Sequence, residues 1–197
     1  MSEYYEARNS IYCYEGTNVL INKLNIKDQK LLEKVERKIV LAKLYALRQN
    51  LNIGNFDIDH FVGIHKFLFE DLYEFAGKFR NENIAKGNFS FAEWEYIEPE
   101  LKRILDELKE EKYLEGYDKE KLANRLAYYL AEINVLHPFR EGNGRTTREF
   151  IRELAYKNGY LLDLREIEAN DMLDASKLSI VDSTELEKLL YKCLKKA

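Results

Sequence analysis

The spacing of apolar positions sets the outline of this chain. Leu31, Val35, Ile39, Ala42 and Ala46 recur at steps of three and four, which puts them on one inward stripe of a helix predicted over about 28–49, with its Lys, Glu and Arg turned to water. A second helix follows Asp57 as its cap, with Phe61, Ile64, Leu68 and Leu72 inward. A third starts near Pro99 and buries Leu101, Ile104, Leu105 and Leu108, proline being well tolerated in a first helical turn. A fourth begins after Asp118 with Leu122, Leu126, Tyr129, Leu130, Ile133 and Leu136 on its buried side, and stops because Pro138 disfavours helical geometry at His137. A fifth runs from Asn143 to about Lys157 on Phe150, Ile151 and Leu154, with Asn158 and Gly159 as its stop.

The helical period breaks between the second and third helices, in GKFRNENIAKGNFSFAEW. Gly77 and Gly87 punctuate this stretch, and Phe89 and Phe91 alternate with a small residue, which predicts a loop or β-hairpin. The fold class expected is all-α, a helical bundle with one small β excursion. No repeat or low-complexity linker interrupts it, and 197 residues suit a single domain over 1–197.

Composition narrows the partners more than the fold. A net charge of -4 offers no broad basic surface, so neither nucleic acid nor an anionic membrane is an expected partner, and any anion site must be local. No apolar run approaches the ~20 residues of a membrane span, and the first residues, MSEYYEARNS, are polar and acidic, so a cytoplasmic setting is expected. Cys13 and Cys193 lie near opposite ends with no metal-type spacing, and the chain has only three histidines, His60, His65 and His137, so no zinc cluster is expected and reduced thiols are favoured over a disulfide.

Candidate chemistry concentrates in HPFREGNGRTTR, residues 137–148. Gly142, Asn143 and Gly144 tolerate left-handed backbone angles directly before a helix, so successive N–H groups can turn toward one point, an anion site at a helix start. Arg145 and Arg148, three apart, can share a face and grip a polyphosphate as two forks. Glu141 would repel that polyphosphate unless a divalent cation sat between them, so Mg²⁺ is expected there. His137, with an ordinary pKa near ~6.5, can take a proton from an incoming hydroxyl. Taken singly, each residue has an ordinary role as helix end, turn or solvated face. Together they exceed what a helix–helix connection needs. No Gly-Lys-[Ser/Thr] follows the glycines, so the segment is not a Walker loop.

The stretch HPFREGNGR followed by Arg148 resembles the signature of Fic-domain proteins, His-x-Phe-x-[Asp/Glu]-Gly-Asn-Gly-Arg-x-x-Arg, with each specified position filled. YEFAGKFRNENIAKGNFSF resembles the family's target-docking flap, placed at about 78–91, and YEGTNVLINKLNIKDQKLLEKVERKI resembles the N-terminal region of bacterial cell-filamentation proteins. The resemblance implies the Fic fold and transfer of AMP from ATP to a Tyr, Thr or Ser hydroxyl of a target protein, with release of pyrophosphate. It implies His137 as base, Glu141 as Mg²⁺ ligand and Phe139 as packing anchor. Gly142, Asn143, Gly144, Arg145, Thr146 and Arg148 would bind nucleotide, and Lys86 and Gly87 would lie in the docking flap. Relatives that transfer phosphate instead carry Lys at the position of Gly144, so glycine favours AMP transfer. A Fic-fold phosphotransferase and a catalytically silent nucleotide-binding module remain the alternatives.

Some Fic proteins carry an inhibitory helix, [Ser/Thr]-x-x-x-Glu-[Gly/Asn], whose Glu pairs with the second motif arginine. Ser183 and Glu187 have that spacing, but Lys188 follows. Thr184 to Glu187, TELE, reads more strongly as a capping box opening a last helix over about 183–195, and DSTE, Asp182 to Glu185, offers another. Inhibition is therefore expected from a separate small antitoxin-like protein.

Overall fold

A computed structural model describes residues 10–49, 54–87 and 89–197. Helix α1 spans Gln29–Gln49, close to the predicted range but rotated. Leu32 and Val40 are its buried residues, whereas Leu31, Ala42 and Ala46 of the predicted stripe are exposed and Val35 and Ile39 are half-buried. Moving the buried row on by one residue turns the helix by about 100° on its axis. The reason is its polar row: Gln29, Glu33, Glu36 and Arg37 line a cavity together with Leu32.

Helix α2 (Ile58–Phe69) opens where Asp57 accepts the His60 N–H at 2.9 Å. Leu72, expected on this helix, lies beyond its end and is buried. Helix α3 spans Ile97–Glu110, two residues earlier than Pro99 suggested because a 3-10 turn at Trp94–Tyr96 leads into it. Helix α4 (Lys119–Leu136) opens where Asp118 accepts the Lys121 N–H at 2.8 Å. Helix α5 runs Asn143–Lys157 and packs at the centre. Its Phe150, fully buried, meets the rings of Phe56 and Phe61 edge-on, each at 5.4 Å.

The expected hairpin consists of β1 (Ala85–Lys86) and β2 (Phe89–Ser90), antiparallel with Ala85 opposite Ser90 and Lys86 opposite Phe89. Three features correct the sequence reading. A second ladder pairs β3 (Tyr160–Leu162) with β4 (Leu194–Lys196). Helix α6 (Ala169–Leu178) precedes α7 (Thr184–Cys193), which ends at Cys193 because the chain turns there into β4. The capping box does not form: Asp182 accepts the Thr184 N–H at 2.9 Å and the Thr184 hydroxyl, a nearer acceptor than Glu187. Among the described residues no helix is long and apolar enough to cross a membrane.

Candidate active site

The end of α4 is held by an arginine. His137 takes left-handed angles, φ 49° and ψ 60°, and donates its N–H to the Ile133 carbonyl at 3.0 Å. Arg80, 2 % exposed, donates from Nε to the His137 carbonyl at 2.9 Å, from Nη1 to Glu82 at 2.7 Å, and from Nη2 to the Ala92 and Leu136 carbonyls. Its own N–H donates to the Pro138 carbonyl at 2.9 Å. One side chain thus ties the left-handed turn to both flanks of the hairpin. The His137 Nδ1–H points to the Asn134 carbonyl at 3.2 Å, which makes Nε2 the lone-pair nitrogen, and Phe91 stacks on the ring at 3.8 Å. Burial pushes its pKa down to about 3, with the Asn134 carbonyl opposing and the charges of Arg80 and Lys86 adding to the fall. At neutral pH the imidazole is an uncharged acceptor.

The loop that follows is clamped from inside. Phe139 is fully buried and stacks on His65 at 3.7 Å and Phe61 at 5.6 Å. The Asn143 side chain closes on the Phe139 backbone, accepting its N–H at 2.8 Å and donating to its carbonyl at 2.7 Å, so this side chain braces the loop. His65 accepts the Gly77 N–H at Nδ1 (2.8 Å) and donates Nε2–H to the Glu141 carbonyl (3.0 Å), joining the root of the hairpin to this loop. Burial pushes its pKa down to about 3, which suits a neutral ring with one donor and one acceptor.

Gly142 has φ +84°, and a Cβ there would lie 2.3 Å from the Phe69 ring. A Cβ at Gly144 would meet Nη1 of Arg148 at 2.8 Å, because that guanidinium folds back across the glycine. The Thr146 N–H, bonded to the Gly142 carbonyl at 3.0 Å, starts the helical ladder, so the amides of Asn143, Gly144 and Arg145 precede it. The Gly142 N–H donates to Glu141 Oε1 at 2.8 Å. Thr146 is fully buried and its side chain does not line the cavity.

That cavity, about 380 Å³, is bounded by Glu36, Tyr73, Lys86, Glu141, Arg145 and Arg148 among others. Arg145 lies 4.7 Å above the Phe69 ring and donates to Glu36 at 2.7 Å and Glu141 at 3.1 Å. Burial opposes its charge, but Glu36 and Glu141 hold its pKa above the ordinary value. Arg148 has burial and the Arg145 charge against it, and its pKa is lowered. Glu187 accepts from Asn124 Nδ2 at 2.8 Å and is not brought to this cavity. Gly87 turns the hairpin at φ +58°, and Lys86 reaches the cavity wall. A larger cavity, about 560 Å³, lies between the start of α2, α3 and the end of α5 and contains no residue of the 137–148 stretch.

Arg80, His65, Glu36 and Tyr73 are site residues that the sequence reading passes over. Arg80 and His65 bond to backbone 57 and 76 residues away, which no local period reveals. Glu36 reads as a solvated charge on a helix.

The model of the Fic/DOC family matches residues 55–155. Protein adenylyltransferase VbhT of Bartonella schoenbuchensis is 42% identical over 188 residues, 95% of this chain and 39% of that protein; this chain therefore spans well under half of that relative. The Fic protein of Escherichia coli, named a probable protein adenylyltransferase, is 33% identical over 198 residues, 100% of this chain and 98% of its own length. Among solved structures, the BepC protein of Bartonella tribocorum with bound AMPPNP superposes with a TM-score of 0.88 at 27% identity, covering 94% of this chain and 97% of that one.

Proposed function

The chain belongs to the Fic/DOC family, and from that premise we propose that it is a protein adenylyltransferase, moving AMP from ATP to a Tyr, Thr or Ser hydroxyl of a target protein. The observation that carries the reading is the uncharged His137, whose Nδ1–H is committed to the Asn134 carbonyl and whose Nε2 can take the proton of an attacking hydroxyl. As that proton moves to Nε2, the hydroxyl oxygen bonds to the α-phosphorus and the bond from that phosphorus to the bridging oxygen breaks, releasing pyrophosphate. The amides of Asn143 and Gly144 at the start of α5, with Gly142 before them, support phosphate oxygens, and Arg145 and Arg148 take the distal phosphates. Attack at the α-phosphorus is supported by Gly144, across which Arg148 lies; a longer side chain there would displace that arginine.

Glu141 is the residue that would hold Mg²⁺. Its carboxylate is 29% exposed at the cavity, and among the described residues no cluster of three or more His, Cys, Asp or Glu could hold a metal. That donor set fits an ion completed by phosphate oxygens and water. When bound it would supply positive charge against the polyphosphate. The hairpin, with Lys86 and Gly87, would align an extended target segment by strand pairing. A small inhibitory protein acting in trans fits a Glu187 occupied by Asn124. Free Cys13 and Cys193 fit a reducing cytoplasm.

Incubation of the purified protein with α-labelled ATP, Mg²⁺ and a cell lysate tests the reading. Proteins become labelled, His137→Ala abolishes the labelling, and γ-labelled ATP gives none. Label from the γ-phosphate would mean phosphate transfer, and ATP binding without any labelling would mean a silent binding module.

A further inference from the structure

We propose that Glu36 of α1, held by the Tyr73 hydroxyl, is a positioning residue that orients Arg145 for the distal phosphates of the nucleotide. The inference rests on the nucleotide reading of the cavity above. Glu36 lies outside the residues that the family model matches, 55–155, so this part of the site comes from a segment that the family match leaves out.

Glu36 and Glu141 both accept from the same nitrogen of Arg145, Nη2. One corner of the guanidinium is therefore tethered, and its Cζ lies over the Phe69 ring, 4.7 Å from the centroid. The donors that these two carboxylates leave unused, the Nε–H and the Nη1 hydrogens, are the ones left to meet a ligand. A fork held at one corner and on one face has lost most of its rotamer freedom before phosphate arrives, which is what pre-organised binding requires.

Glu36 is itself fixed. Tyr73, 1 % exposed and stacked on Phe75 at 4.7 Å, donates its hydroxyl hydrogen to Glu36. Burial pushes the Tyr73 phenol above its ordinary pKa, with the Glu36 charge adding to the rise, so it stays a donor at any working pH. Burial also raises the Glu36 carboxyl, opposed by the Arg145 charge.

The charge arrangement gives Glu36 a purpose that Glu141 cannot fill alone. Arg145 and Arg148 sit one helical turn apart in one cavity, and both are half-buried. Two half-buried guanidinium groups at this spacing repel, as the effect of Arg145 on Arg148 shows, and a carboxylate beside one of them offsets that repulsion. Glu141 already accepts the Gly142 N–H and is the residue assigned to the cation. Glu36 keeps Arg145 in place when Glu141 is otherwise engaged.

The test measures ATP and AMP binding by calorimetry, and the apparent KM for ATP and kcat of target labelling, for Glu36→Gln, Glu36→Asp and Tyr73→Phe. Glu36→Gln weakens ATP binding and raises KM by about tenfold, the scale of a lost charge-assisted hydrogen bond. It leaves AMP binding unchanged, because AMP lacks the distal phosphates. Tyr73→Phe moves the same way by less, and Glu36→Asp recovers part of the loss. In an Arg145→Ala background Glu36→Gln has no further effect, since it acts through that arginine. Unchanged or tighter ATP binding by Glu36→Gln overturns the inference, as does an equal loss of ATP and AMP binding. Wild-type protein that binds no ATP would overturn the nucleotide reading itself, a separate outcome.

Discussion

Helices α1 and α5 form two walls of one cavity, and they are built on opposite plans. The face of α5 away from the cavity carries Thr147, Phe150, Ile151 and Leu154, each no more than 1 % exposed. Its first two turns meet the cavity with Arg145 and Arg148. Helix α1 buries only Leu32 and Val40 and presents Gln29, Glu33, Glu36 and Arg37 to the same cavity, while Leu31, Leu41 and Tyr45 face solvent. A helix packed at the centre gets its orientation from apolar burial. A helix laid over a polar cavity gets it from what the cavity needs, and its apolar residues take the places that remain.

Three substitutions probe this contrast. Phe150→Ala removes a fully buried ring against Phe56 and Phe61 and lowers stability by about 3–5 kcal/mol in urea unfolding; a loss no larger than at an exposed site would show that α5 is not the central packing element. Gly142→Ala forces a Cβ toward the Phe69 ring at φ +84°, and costs on the order of 1–3 kcal/mol with loss of target labelling. Full activity in that variant would mean that the loop before α5 has room that the geometry denies. Leu31→Ala, on the predicted but unburied stripe of α1 at 49% exposed, changes stability by no more than about 0.5 kcal/mol. A loss of about 2 kcal/mol or more, the range for a buried leucine, would restore the orientation expected from the sequence.

The parts legible in the sequence are those whose cause is local. Asp57 and Asp118 cap helices through their own third neighbours, and Asn158 and Gly159 end α5 where φ becomes +78° at the glycine. The anion-loop residues are contiguous, so their grouping could be read directly. What could not be read depends on partners far along the chain. The rotation of α1 follows from Glu36 meeting Arg145, and β3 finds β4 some 34 residues later, between runs of three residues with no alternation to mark them. Asn143 shows a third limit: its place in the motif suggests a ligand contact, whereas its side chain is spent on the Phe139 backbone.

Cys193, at the end of α7 where the chain turns into β4 and its carbonyl accepts the Asp163 N–H, is 2 % exposed, whereas Cys13 is half-buried. Burial also raises the Cys193 pKa, keeping it a thiol, and a thiol reacts only through its thiolate once exposed. The chain therefore carries its own clock for local unfolding. The rate at which an alkylating reagent consumes Cys193 reports how often the structure around the end of α7 opens, with Cys13 as the internal reference.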